Sequence, residues 1–200
     1  MGNLSIQQSV IIREGQVLVD GQLFFESDDT TFGPFAKELY KQLECKYSKF
    51  YKMDGLSKLG FLGAEILMGC QVNDLCDDET ALVFCNRSSS LNTDVKYQAT
   101  IKEIPSPAVF VYTLPNIVIG EICIRHGIKG EAAFFVKETE DPTFIVDYVK
   151  LLFATTNTKQ CLTGWVEIDA AGQYEARLYI VSDQVSERPF SVDNIRQKYN

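Results

Sequence analysis

Histidine is nearly absent: His126 is the single one in 200 residues. Any nucleophile–histidine arrangement would have to use it, and the serines at 88–90 lack the G-x-S-x-G setting of a nucleophile turn. Metal chemistry is excluded on similar grounds. Cys123 and His126 stand three apart on one helical face, but a metal needs about three or four ligands and no second Cys/His cluster exists. Also missing are Lys/Arg-rich runs and glycine-rich phosphate loops, and the net charge is −8. Nucleic acid is therefore not an expected partner, and no motif implies a cofactor. Long hydrophobic runs are absent too. The most apolar window, 109–124, contains Pro115, Asn116 and Glu121 and is too short to span a bilayer, so it reads as a buried element. Met1–Gln8 lacks the basic and apolar regions of a signal peptide, which makes a cytoplasmic protein the expectation.

The residues present describe an ordinary globular chain, 46% apolar and 23% charged, of a length that suits one domain over 1–200. Six cysteines at 45, 70, 76, 85, 123 and 161 sit among apolar neighbours without paired spacing, the signature of reduced, buried thiols. Residues 9–19 and 21–26 read as a strand pair turning at Asp20-Gly21. Pro34 opens a helix over 35–50. Residues 54–70 form a second helix, apolar on nearly every face and so buried. An acidic loop follows at 74–79, then a buried strand at 80–85, a polar serine turn and a surface helix over 94–104. Pro115-Asn116 opens another helix that Gly127 ends after the basic pair Arg125-His126. A strand at 132–136, an apolar helix over 143–154, strands at 160–168 and 174–181, and a polar tail, 182–200, complete the chain. Strands alternating with buried helices predict an α/β mixed sheet with helices packed on it, some buried on both sides.

Residues 106–136 carry proline, apolar residues, Leu114-Pro115-Asn116, a small-residue segment with Gly120-Glu121, the turn R-H-G-I-K-G and then a strand. This run resembles the one that leads into the nucleophile of β-ketoacyl synthases, the condensing enzymes of fatty-acid and polyketide assembly. Lys52-Met53-Asp54 with the helix after it, the strand 80–87, and Leu162–Glu167 in place of the family's A-G-G-x-E strand end are similar to further parts. The resemblance covers about 50–169 and implies one half of a thiolase-like fold. A full ketosynthase holds two such halves in a chain about twice this length, beyond the usual single-domain size.

The resemblance implies a nucleophilic cysteine near Thr139, yet the local sequence is Lys137-Glu138-Thr139-Glu140-Asp141-Pro142. A threonine hydroxyl is far less acidic than a thiol and needs an adjacent base. The histidine pair of the family's second half is missing as well. The expectation is a ketosynthase-like protein without a catalytic residue of its own. It would serve fatty-acid or polyketide assembly of the aryl-polyene type as an accessory partner. Its partner would be a second copy or a full-length ketosynthase, met through Phe110, Tyr112, Asn116 and Phe134. An acyl carrier protein is a further partner that the resemblance implies, although such carriers are acidic and need a local basic patch on this acidic chain. The alternative is an acyltransferase acting on thioesters through Thr139 or a cysteine elsewhere.

Overall fold

The computed structural model describes residues 3–69, 78–102 and 104–196. Seven strands, β1 (Ser5–Arg13), β2 (Gln16–Val19), β3 (Gln22–Glu26), β4 (Thr80–Asn86), β5 (Ala132–Val136), β6 (Gln160–Ile168) and β7 (Tyr174–Ser182), form one sheet in the order β3-β2-β1-β7-β6-β4-β5. β4 runs parallel to β5 and β6, and the other pairings are antiparallel. Its mixed character and its helical cover are those expected.

The helices are α1 (Phe32–Gln42), α2 (Gly55–Met68), α3 (Leu91–Ile101), α4 (Pro107–Phe110), α5 (Ile117–His126), α6 (Pro142–Thr155) and α7 (Val192–Arg196). Alternation along each strand divides the core between the two faces. Leu82 and Phe84 of β4 join α1, α2 and α5, whereas Ala81, Val83 and Cys85 join α6 and α7. All seven residues of β4 are buried, as a parallel strand covered on both faces must be.

α2 is the helix enclosed on all sides. Asp54 caps it by accepting from Ser57 N at 2.9 Å, and its glycines set the approach distances. A Cβ on Gly60 would stand 2.4 Å from Val118 of α5, and one on Gly63 would stand 2.6 Å from Leu178 of β7. Glycine weakens a helix interior by about 1 kcal/mol relative to alanine, and here it permits close contact with a helix and with the sheet. The stacked rings of Tyr40 and Phe50 (4.1 Å) and of Tyr47 and Phe61 (5.5 Å) extend the apolar cover.

Several sequence expectations need correction. The first strand breaks at Glu14-Gly15, both in the left-handed region, so three strands replace two. The helix expected over 35–50 spans Phe32–Gln42, and a 3-10 turn covers Ser48–Lys52. The segment from 109 onward is not wholly buried: Phe110, Val111, Leu114 and Ile124 are exposed, because a bent pair of short helices presents them outward. β5 is an edge strand with both ends exposed. The polar tail docks on the sheet through the buried side chains of Phe190 and Ile195. Backbone bonds from Ile6 N to Arg188 O and from Phe190 N to Leu4 O, each 2.8 Å, fix it there. Cys45 is disulfide-bonded, against the expectation of six reduced thiols, because pairing depends on tertiary approach rather than on spacing. Cys85, Cys123 and Cys161 are free. Cys70, Cys76 and most of the acidic loop lie outside the described residues. Among the described residues no single helix is long and apolar enough to cross a membrane.

Candidate functional site

The segment around Thr139, where the sequence resemblance implied a nucleophile, joins β5 to α6. Lys137 N donates to Asn86 O (2.8 Å), extending the β4–β5 ladder by one bond. The chain then bends, leaving Thr139 exposed. Asp141 caps α6, its carboxylate accepting from Phe144 N at 3.0 Å, and Pro142 takes the first turn. That hydrogen bond, with help from Lys137, holds the Asp141 carboxyl below its ordinary value. Lys137 Nζ lies 3.4 Å from Asp141 and 4.3 Å from the centre of the Phe144 ring. Arg177 of β7 reaches Glu140 at 2.5 Å and also pairs with Glu175.

The chemistry of this loop opposes a nucleophile. A helix N-terminus favours an anion, but the Asp141 carboxylate already occupies it. Glu138 is solvated, whereas Glu140 is committed to Arg177. Cys85, a free thiol of the sheet, pairs across from Phe135. Burial pushes it up to about 12; Lys137 acts against this, and Glu140 and Asp141 reinforce it. Burial likewise raises Cys123 to about 11 and raises Cys161. A thiol so raised carries little thiolate at neutral pH.

Buried carboxylates organise the rest of the molecule, and the sequence reading missed their partners. Glu65 accepts from Arg125 at 2.9 and 3.2 Å and lies 3.0 Å from His126 Nε2. Burial alone would raise the Glu65 carboxyl, but His126 and Arg125 outweigh it and hold the group low. His126 thus belongs to a structural cluster with Glu65, and among the described residues no group of three His, Cys, Asp or Glu could hold a metal. The signal in the sequence was a lone glutamate inside an apolar helix. Glu121 accepts from Tyr112 (2.9 Å) and pairs with Lys49 (2.8 Å). Glu167, the last acidic residue of the Leu162–Glu167 run, accepts from the backbone of Arg87 (2.6 Å) and Ser88 (3.2 Å). It pins the turn that follows β4.

Of the four interface candidates, Phe110 and Asn116 are exposed, Phe134 is half-buried on β5, and Tyr112 turns inward to Glu121. Phe110 also packs on Tyr97 of α3, with ring centres 5.3 Å apart.

No family model matches the sequence, and neither does any curated protein. Solved structures do match in three dimensions. The chain superposes on "The ishigamide ketosynthase/chain length factor" with a TM-score of 0.65 and 16% identity, over 94% of this chain and 64% of that one. The chain has the ketosynthase fold. A ketosynthase (ApeO) in complex with its chain length factor (ApeC) from Xenorhabdus doucetiae matches with a TM-score of 0.59 and 15% identity, over 92% of this chain and 80% of that one. A type II polyketide ketosynthase complex with acyl-carrier protein (AntDE:AntF) matches with a TM-score of 0.61 and 12% identity, over 91% and 62%. The ketosynthase-like chain thus spans about two thirds of the length of the first of these structures. The mixed sheet with α2 enclosed is the thiolase-like half that the sequence suggested.

Proposed function

We propose that this ketosynthase-like chain is a non-catalytic accessory subunit that pairs with a full-length ketosynthase in fatty-acyl or polyketide assembly of the aryl-polyene type. The observation that carries the reading is an exposed apolar stretch of the chain that ends in an edge strand. β5 is an edge strand, and such an edge presents unpaired backbone donors and acceptors. Of the 14 exposed large hydrophobic side chains among the described residues, nine fall between Leu91 and Val136, the stretch that contains α3, α4, α5 and β5. Clustered exposed apolar residues mark interaction surfaces. Phe110, Asn116 and Phe134 fall within this stretch, and Tyr112 supports it from within through Glu121.

The loop at Thr139 supports the non-catalytic part of the reading, since a capped helix and an ion-paired turn replace an activated thiol. Two of the matching structures are of a ketosynthase together with a chain length factor, which supports the choice of partner. The test is a tagged chain recovered from its own cells and analysed by mass spectrometry. A full-length ketosynthase in near-equal amount is the expected result; recovery of the chain alone would sink the heterodimer. The acyltransferase alternative predicts covalent acylation of the isolated chain by an acyl thioester. The raised thiols and the capped helix oppose it.

A further inference from the structure

A cavity of about 850 Å³ opens where β6 ends, away from the β5 edge, and it brings together residues that the sequence scatters over 160 positions. Lys37 of α1, Lys58 of α2 and Lys96 of α3 all line it. The start of α1 at Phe32-Gly33, the start of α2 at Gly55 and Asn92 in the first turn of α3 line it too. Three helices from different parts of the chain therefore bring one cation each to the same space, and α1 adds a helix start with no acidic residue in its first turn. Glu14 is the one carboxylate of the lining.

Three details distinguish this arrangement from solvated surface charge. None of the three ammonium groups forms an ion pair among the described residues. Lys96 Nζ is fixed by Asn92 Oδ1 at 2.6 Å, and Lys58 is half-buried, 5.8 Å from the centre of the Phe50 ring. Burial holds Lys58 below its ordinary value; Asp54 acts the other way, and Lys37 and Lys96 add to the depression. Like charges gathered without a direct ion-pair partner repel one another, and a bound anion would relieve the repulsion. The first turn of α1 has no side-chain cap, so its backbone N–H groups remain available to an acceptor. All this occurs on a chain of net charge −8, where general electrostatics would repel an anion.

We propose that this cavity, lined by Lys37 of α1, Lys58 of α2 and Lys96 of α3, binds a phosphate-bearing small molecule. The phosphate sits among the ammonium groups and the start of α1. The organic part lies along Tyr51 and Tyr174, which line the same cavity. The volume is in the range of small-molecule sites.

The test is equilibrium titration of the purified full chain, in low-salt buffer, with inorganic pyrophosphate, adenosine monophosphate and poly-glutamate. Pyrophosphate and the nucleotide should saturate one common site and compete with each other. Lys58→Met should weaken both at least tenfold, and Lys37→Gln and Lys96→Gln should each weaken them severalfold. Lys46→Gln, which removes an exposed charge elsewhere, should leave binding unchanged. Lys37 and Lys96 are exposed, so their variants keep the test valid if Lys58→Met folds poorly. The proposal is overturned if neither small anion saturates, if Lys46→Gln weakens binding as much as the cavity variants, or if poly-glutamate alone binds, which would indicate an acidic protein instead. Because the titration uses the isolated chain, its failure leaves the ketosynthase pairing untouched, and the reverse also holds.

Discussion

Arg177 of β7 lies 2.5 Å from Glu140, 37 residues earlier in the chain, and both side chains are mostly shielded from water. The pair ties the loop before α6 to the central sheet, so the loop that would carry a nucleophile is held by charge. Arg177→Leu removes this ion pair from a largely dry setting, a loss of about 2 kcal/mol for a charged hydrogen bond. The expected result is a lower urea midpoint with the m-value unchanged. An unshifted midpoint would show that the pair contributes nothing.

Glu65 makes stability depend on acid. Its folded carboxyl is held below its ordinary value by His126 and Arg125. The contribution is therefore present above the unfolded value of about 4.3 and is lost as pH falls through the lower folded value. Glu65→Gln removes the charge while keeping the shape, at a cost of about 3 kcal/mol at pH 7 for breaking a buried pair. Urea titrations at neutral and acidic pH should show the variant and the parent converging as pH falls. Parallel curves would contradict this.

The free thiols should be inert. With Cys85 pushed up to about 12 and Cys123 to about 11 by burial, iodoacetamide at mildly alkaline pH should modify Cys85, Cys123 and Cys161 slowly in the native protein and fully in denaturant. Rapid native labelling of Cys85, read by peptide mass spectrometry, would reopen the acyltransferase reading.

The exposed stretch between 91 and 136 should decide pairing without deciding folding. Val136 and Phe110 are each more than half exposed, so Val136→Lys and Phe110→Asp should leave the thermal midpoint within about a degree, as surface substitutions do. Each should weaken association with the ketosynthase at least tenfold, about 1.4 kcal/mol, measured with purified subunits. Undiminished binding in both would move the interface elsewhere.

The elements and the class of fold were legible along the chain because they rest on local rules. Period-two strands, Asp54 before the buried helix, Pro142 at the start of α6 and Gly127 after Arg125-His126 all act within a few residues of themselves. The run from Leu114 through Gly130 and the absence of a cysteine near Thr139 were equally plain.

What joins distant residues was decided only by the tertiary structure. The partners of Glu65, Glu140 and Glu167 come from 60, 37 and 80 residues away, and no periodicity encodes such pairings. Nor does spacing reveal that Cys45 enters a disulfide, or that the polar tail hides Phe190 and Ile195. The lysines at 37, 58 and 96 are unremarkable on their separate helices. They become one cavity because the sheet order carries the starts of α1, α2 and α3 to the same end. Local sequence sets which segments bury an apolar face; packing those faces on one sheet sets which charges must then meet.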